Sequence, residues 1–387
     1  MAVRIVGIGT ALPPFVYRQS EVKAIMQRWI GGERRVDRLL ERVYNASGID
    51  RRHSVLPDFQ AGAAPGLFGT GEHTFARPST GARNARYGET APELIERAAR
   101  RALAAAPAPL RERVTHVVTV SCTGFQAPGV DDHLVRSLGL GAATERYHVG
   151  FMGCYAVFPA LRMARAFCLA DPDAVVLLAS VELCTIHLDP QAHVDSILST
   201  SVFADGAAAA VVTAAPTRDG AESPPRLGLE LLASATTLTR DGRQDMAWTI
   251  GDHGFDMVLT SYVPRVLEAE AEASVAPLLA AGGVALDDIT AWALHPGGRA
   301  IIDKVAAALG LAPPALAASR EVLAGTGNMS SASVLFVLQR MLGGRCEDLD
   351  PAVEAGAAPA PEDALLAALA FGPGLTVDSA LVRVVAM

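Results

Sequence analysis

Six short runs rich in Val, Ile, Leu and Ala recur along the chain, and between them lie longer stretches with the periodicity of helices. The runs are VRIVGI (3–8), HVVTVS (116–121), AVVLLAS (174–180), GAAAAVVT (206–213), ITAWAL (289–294) and SALVRVVA (379–386), each the length of one strand. Helical spacing of apolar residues is expected over 91–106, 152–169, 257–272, 299–309 and 329–342. Strands with hardly a polar face, alternating with long helices, require a sheet covered on both sides, so the chain is assigned to the α/β class. With 50% hydrophobic and only 19% charged residues, it has the apolar material for such a core.

A net charge of −8 without a basic block argues against a nucleic-acid partner. The apolar runs fall short of the roughly 18 residues of a membrane helix, so stable membrane insertion is not expected. The opening MAVRIVGIGTALP reads as a first strand, not a signal peptide, and GIGTALP lacks the third glycine of a dinucleotide loop. Cys122, Cys154, Cys168, Cys184 and Cys346 show no CxxC spacing, so neither a disulfide framework nor a metal is expected. Reduced thiols fit a cytoplasmic location. The Pro-, Gly- and charge-rich stretch 213–228 divides the chain into 1–225 and 226–387, and similar strand-to-helix sketches on either side suggest internal duplication around one shared core. Residues 54–86 lack periodicity and are expected to form a surface loop or lid.

Cys154 stands in VGFMGCYAVFPALRMARAF (149–167), where an apolar segment turns into a helix. Unpaired N–H groups and the helix dipole there favour a thiolate, although a buried cysteine also serves simply to fill space. His295 ends an apolar strand in WALHPGG, either as a satisfied core residue or at a ligand crevice. Asn328 in GTGNMSSAS is either an N-cap or an amide donor to an oxyanion. Together the three residue types suit attack on a thioester by the cysteine, then stabilisation of the enolate left when a malonyl thioester loses CO2. Cysteine proteases use the same three residue types. Phe203 in SVFADGAAAA is core or pocket wall, and Arg51 and Arg52 in GIDRRH meet either a phosphate or solvent.

Five ordered motifs, GFMGCYA, FADGAAAAV, WALHPGG, GTGNMSSASVLFVL and FGPGLTV, resemble those of the type III polyketide synthases, the chalcone synthase-like branch of the thiolase superfamily. The resemblance implies a thiolase-like five-layered αβαβα fold with internally duplicated halves, a homodimer, and acyl-CoA and malonyl-CoA as substrates, with no further cofactor. It makes Cys154 the acyl-accepting nucleophile, assisted by His295 and Asn328, and Phe203 a gate between CoA tunnel and cavity. Arg51 and Arg52 would then face CoA, and Ser330 would join the substrate pocket.

Departures from the plant pattern concern that pocket. Cys122 and Thr123 replace a Thr-Ser pair, Cys184 and His187 replace two cavity threonines, Met257 stands opposite a second gatekeeper phenylalanine, and Ala127 replaces a methionine that crosses the dimer. Trp248 is expected to refill part of the space these changes open. The wording resembles bacterial enzymes that use fatty acyl starters and release alkylpyrones or alkylresorcinols. Alternatives are aromatic or malonyl starters, a single-step ketoacyl-ACP synthase III, whose histidine motif reads HQAN instead of HPGG, and a non-catalytic acyl-CoA-binding protein.

Overall fold

A computed structural model describes residues 1–60, 66–69, 75–214, 226–349 and 356–387. Its strands are β1 (Arg4–Ala11), β2 (Phe15–Arg18), β3 (Arg51–Ser54), β4 (His116–Ser121), β5 (Glu145–Gly150), β6 (Val175–Leu183), β7 (Asp205–Thr213), β8 (Leu227–Leu238), β9 (Met246–Gly251), β10 (Gly254–Leu259), β11 (Ala291–Leu294), β12 (Leu365–Gly372) and β13 (Thr376–Ala386). Nine of them form one sheet in the order β11-β12-β13-β8-β1-β7-β6-β4-β5; β9–β10 is a separate hairpin, and β2–β3 is a separate antiparallel pair joined through two helices.

The pairing pattern repeats about the β1–β8 join, where only Arg4 with Glu230 and Ile5 with Leu229 are in register. Outward from β1 come antiparallel β7, antiparallel β6 and parallel β4; outward from β8 come antiparallel β13, antiparallel β12 and parallel β11. Period-two alternation explains the nearly continuous apolar strands. On β7, Ala208, Ala210 and Val212 enter one core cluster, while Ala207, Ala209 and Val211 enter another. The helices Val157–Ala170 and Ser333–Met341 touch strands from both sides of the join, whereas Thr80–Ala105 packs on β1, β6 and β7 and Val263–Gly282 on β8 and β13.

All six expected strands are present: β4 has the expected bounds, β11 is shorter by two residues, and β1, β6, β7 and β13 run longer than expected. The expected helix at 257–272 begins only at Val263, because 254–259 pair as β10 with β9. The one expected at 329–342 opens with a 3-10 turn, Ser330–Ala332, before Ser333–Met341. Within the expected lid, Leu56, Phe59 and Phe68 are buried and Phe59, Phe68 and Phe75 pack around Trp29 in tilted and edge-on contacts, so those residues belong to the core. Residues 61–65 and 70–74 of that stretch, and most of the expected linker at 213–228, lie outside the described residues. Among the described residues no helix is long and apolar enough to cross a membrane.

Candidate active site

Three chain segments deliver Cys154, His295 and Asn328 to one cavity. Cys154 lies in the turn before the helix Val157–Ala170, not within the helix as its spacing suggested. Phe151 and Gly153 both have positive φ, 58° and 81°. A Cβ at Gly153 would sit 2.2 Å from Pro373 Cδ, so the glycine permits the approach that sets the thiol in place. His295 immediately follows β11; its backbone N–H donates to Leu369 O at 2.7 Å, extending the pairing with β12 by one residue. Pro296 and Gly297 then turn the chain, with Gly297 N–H donating to His295 O at 2.8 Å.

Asn328 is pinned through its backbone. Its N–H donates to Val202 O at 2.9 Å and its carbonyl accepts from Ala204 N–H at 2.8 Å, forming a bridge that flanks Phe203. Gly327 adopts φ 76°, and a Cβ there would meet Arg52 Cγ at 3.0 Å and Ala204 Cβ at 3.1 Å. The Asn328 side-chain oxygen accepts from Ser330 N–H at 2.8 Å, which orients the amide; Nδ2 makes a long 3.4 Å contact to Gly297 O, and the side chain also hydrogen-bonds with the Cys154 thiol.

Burial controls the ionisation here. The Cys154 thiol is pushed up to about 12 by desolvation, only partly offset by hydrogen bonds with the side chains of Ser330 and Asn328. This runs against the expected helix-stabilised thiolate: the helix starts only at Val157, and the desolvation of the half-buried thiol outweighs its hydrogen bonds. His295 is 1% exposed, and burial drives its imidazole down to about 3. Neither ring nitrogen has a hydrogen-bond partner. At rest the cavity is therefore lined by a protonated thiol and a neutral imidazole that are not hydrogen-bonded to each other.

The inner cavity is small, about 60 Å³, with Phe203, Trp248, Met257, Cys122, Thr123, Cys184 and Ser330 among its walls. Trp248 donates from Nε1 to Cys122 O at 3.2 Å, which holds the indole across it. His187 does not line this cavity but a neighbouring one of about 170 Å³ that shares Cys184, Phe203, Trp248 and Met257 with it. It stacks on Phe255 at 4.0 Å, pairs through Nε2 with Thr123 O at 2.7 Å and accepts Phe255 N–H on Nδ1. At Leu259, Gly297 and Ile301 the cavity meets a wider outer groove of about 380 Å³ bearing Arg42 and Arg299.

Arg51 and Arg52 do not reach that groove's lining. Arg52 is 4% exposed and donates to two backbone carbonyls, so its guanidinium is committed inside the protein, unlike the phosphate-facing residue expected. Sequence reasoning passed over Arg42, one arginine among several on Arg34–Ala46, and Glu182. Glu182 is fully buried behind the cavity, accepting from Cys122 N–H and Thr123 Oγ1 at 3.0 Å each and from the Ser331 hydroxyl; burial raises it to about 7. Its signal was legible as the single charge in the otherwise uncharged strand VVLLASVEL.

The family model for the N-terminal domain of chalcone and stilbene synthases matches residues 2–216, and that for the C-terminal domain matches 230–386. A bisdemethoxycurcumin synthase of Oryza sativa subsp. japonica is 32% identical, over 98% of this chain and 92% of its own length. A 1,3,6,8-tetrahydroxynaphthalene synthase of Streptomyces peucetius subsp. caesius is also 32% identical, with the same coverage. The crystal structure of PKS-I from the brown alga Ectocarpus siliculosus superposes with a TM-score of 0.83 at 28% identity, covering 99% of this chain and 98% of its own. The C-terminal type III polyketide synthase domain of Steely1 from Dictyostelium gives 0.84 at 26% identity, covering 99% of both chains.

Proposed function

The chain belongs to the chalcone and stilbene synthase family of type III polyketide synthases, and we propose that it condenses an acyl-CoA starter with malonyl-CoA through a thioester on Cys154. The observation that carries this reading is the buried imidazole of His295, with both nitrogens unpaired, in one cavity with the Cys154 thiol and the Asn328 amide. A buried polar group without a partner is costly unless a ligand or reaction intermediate completes it.

The pantetheine arm would run from the Arg42/Arg299 groove past Gly297, with the nucleotide phosphates outside. Neutral His295 takes the Cys154 proton as the thiol attacks the acyl-CoA carbonyl; the oxyanion is held chiefly by the imidazolium so formed, with the Asn328 amide as a second donor, and CoA leaves with the proton. Malonyl-CoA then enters by the same groove and loses CO2. Its enolate oxygen is stabilised by His295 and Asn328, and its carbon attacks the Cys154 thioester, forming the C–C bond and expelling the thiolate. The extended acyl-CoA reloads until the chain cyclises.

The starter is assigned as aliphatic, giving an alkylpyrone or alkylresorcinol, because Met246, Met257, Leu259 and Ile301 give the inner cavity an apolar wall. Trp248 favours a second reading, a small malonyl or aromatic starter, since the indole lines an inner cavity of only about 60 Å³. Accurate-mass analysis of products from malonyl-CoA with acetyl-, hexanoyl-, lauroyl-, benzoyl- and 4-coumaroyl-CoA separates them: alkyl tri- and tetraketides support the first, and products from malonyl-CoA alone or aromatic starters the second. Activity only with ACP-bound malonyl groups, stopping after one extension, would instead indicate a single-step condensing enzyme.

The same reading assigns two duplicated halves, 1–225 and 226–387, in five αβαβα layers with Val157–Ala170 and Ser333–Met341 central. This rests on the repeated pairing senses and on those helices' contacts with both sides of the join. A cytoplasmic homodimer completes it, with the 40% exposed Phe125, beside Phe151 and Phe255, as a candidate contact.

A further inference from the structure

Arg52 is a buried cation, 4% exposed, with no carboxylate within ion-pair distance among the described residues; its Nε and Nη2 have no hydrogen-bond partner, and its guanidinium lies 5.8 Å from the Tyr44 ring. Its Nη1 donates to Thr200 O at 2.7 Å and Phe203 O at 2.9 Å. Those carbonyls lie at the C-terminal end of the helix Val194–Val202, where a cation suits the dipole and unpaired oxygens need donors. Tyr44 Oη also donates to Thr200 O at 3.2 Å, and Gln19 Nε2 to Ser201 O at 2.7 Å. The remaining carbonyl, Val202 O, is the one that accepts the Asn328 N–H. Arg52 Cγ also lies 3.0 Å from where a Cβ of Gly327 would project, directly beneath the residue preceding Asn328.

From this geometry we infer that Arg52 is a positioning residue for the Asn328 amide and the Phe203 wall, acting through the 200–204 segment without touching substrate. The inference rests on the proposed enolate-stabilising role of Asn328. The chain just past β3 also holds the residue that follows this stretch, because Val55 N–H donates to Asp205 Oδ2 at 2.9 Å. Release of Thr200 O and Phe203 O would let this segment relax and carry Asn328 with it through the two backbone bonds. Cys154 lies on a different segment, braced by Pro373, and is not held by Arg52. The defect should therefore fall on decarboxylation more than on acyl loading.

The test compares Arg52→Met and Arg52→Lys with wild type and Asn328→Ala in full-length protein. Three quantities are read: CoA release during a single-turnover acylation by acyl-CoA, conversion of malonyl-CoA to acetyl-CoA and CO2, and the thermal midpoint. Arg52→Met should lose decarboxylation by about 10–100-fold, the scale expected for a displaced donor, while loading per folded molecule changes by less than about 3-fold. Arg52→Lys retains the charge but not the fork, and should fold and show a smaller loss of the same kind. The double variant Arg52→Lys/Asn328→Ala should be no slower than Asn328→Ala alone. Equal loss of both steps in proportion to folded protein, or decarboxylation unchanged in Arg52→Lys, overturns the inference. Wild-type decarboxylation in Asn328→Ala would instead overturn the catalytic reading beneath it.

Discussion

Raising the pH perturbs the Cys154–His295 pair without changing a single atom of the fold, and the two possible resting states respond differently. With the thiol held up at about 12 by burial, the thiolate fraction at pH 7 is on the order of 10⁻⁵ and grows tenfold per pH unit. Because His295 is driven down to about 3, it stays neutral across the range and supplies no positive charge to a thiolate. The rate of alkylation by iodoacetamide should therefore rise about 100-fold between pH 7 and 9, with no plateau. A free cysteine near 8.5 would bend over in that window, and a pre-formed thiolate–imidazolium pair would be flat. Stopped-flow or quenched alkylation followed by peptide mass analysis isolates Cys154 from the buried Cys122, Cys168, Cys184 and Cys346. A plateau below pH 8 would show that the site stores a thiolate and that proton transfer to neutral His295 is not the loading step.

Glu182 should make stability pH-dependent. Its folded value near 7 lies above the ordinary 4.5, so the folded state binds more protons in that interval and its contribution falls as pH rises from about 4.5 to 7, then levels. Glu182→Gln can keep the contacts to Cys122 N–H and Ser331, so its thermal midpoint should exceed that of wild type above pH 7 and converge below 4.5; a constant offset would contradict the assignment. Trp248→Ala opens the inner cavity and should raise kcat/KM for lauroyl-CoA relative to acetyl-CoA by about tenfold or more, read from competing product masses; an unchanged ratio means the indole does not limit chain length. Arg42→Ala should raise KM for CoA thioesters several-fold at low salt, with kcat unchanged and the difference shrinking as salt increases, as befits an exposed charge. A fall in kcat with constant KM would remove the arginine from binding.

Much of the sheet was legible because strands covered on both faces carry unbroken apolar runs, as in GAAAAVVT. The edge strand β5 escaped because ERYHVG is largely polar and only Val149 is buried. LLAALAFG of β12 reads as readily helical and becomes a strand through its pairing with β11 and β13. Cys154, His295 and Asn328 were visible as single polar residues at strand and helix ends, but their ionisation was not. That depends on how much water the assembled cavity admits, a property of several distant segments. Arg52 shows the same limit: RRH looks like an exposed basic pair, and only the return of the 200–204 segment buries its second member.

The most direct measurement is the mass of the protein and of its Cys154 peptide after brief exposure to an acyl-CoA alone, followed by a malonyl-CoA chase. The account predicts one acyl group on Cys154 with one CoA released, then loss of that adduct as CO2 and extended products appear, with neither step in Cys154→Ala. Product formed by Cys154→Ala, or an adduct on Cys122 or Cys184 that chases into product while Cys154 stays free, would contradict it.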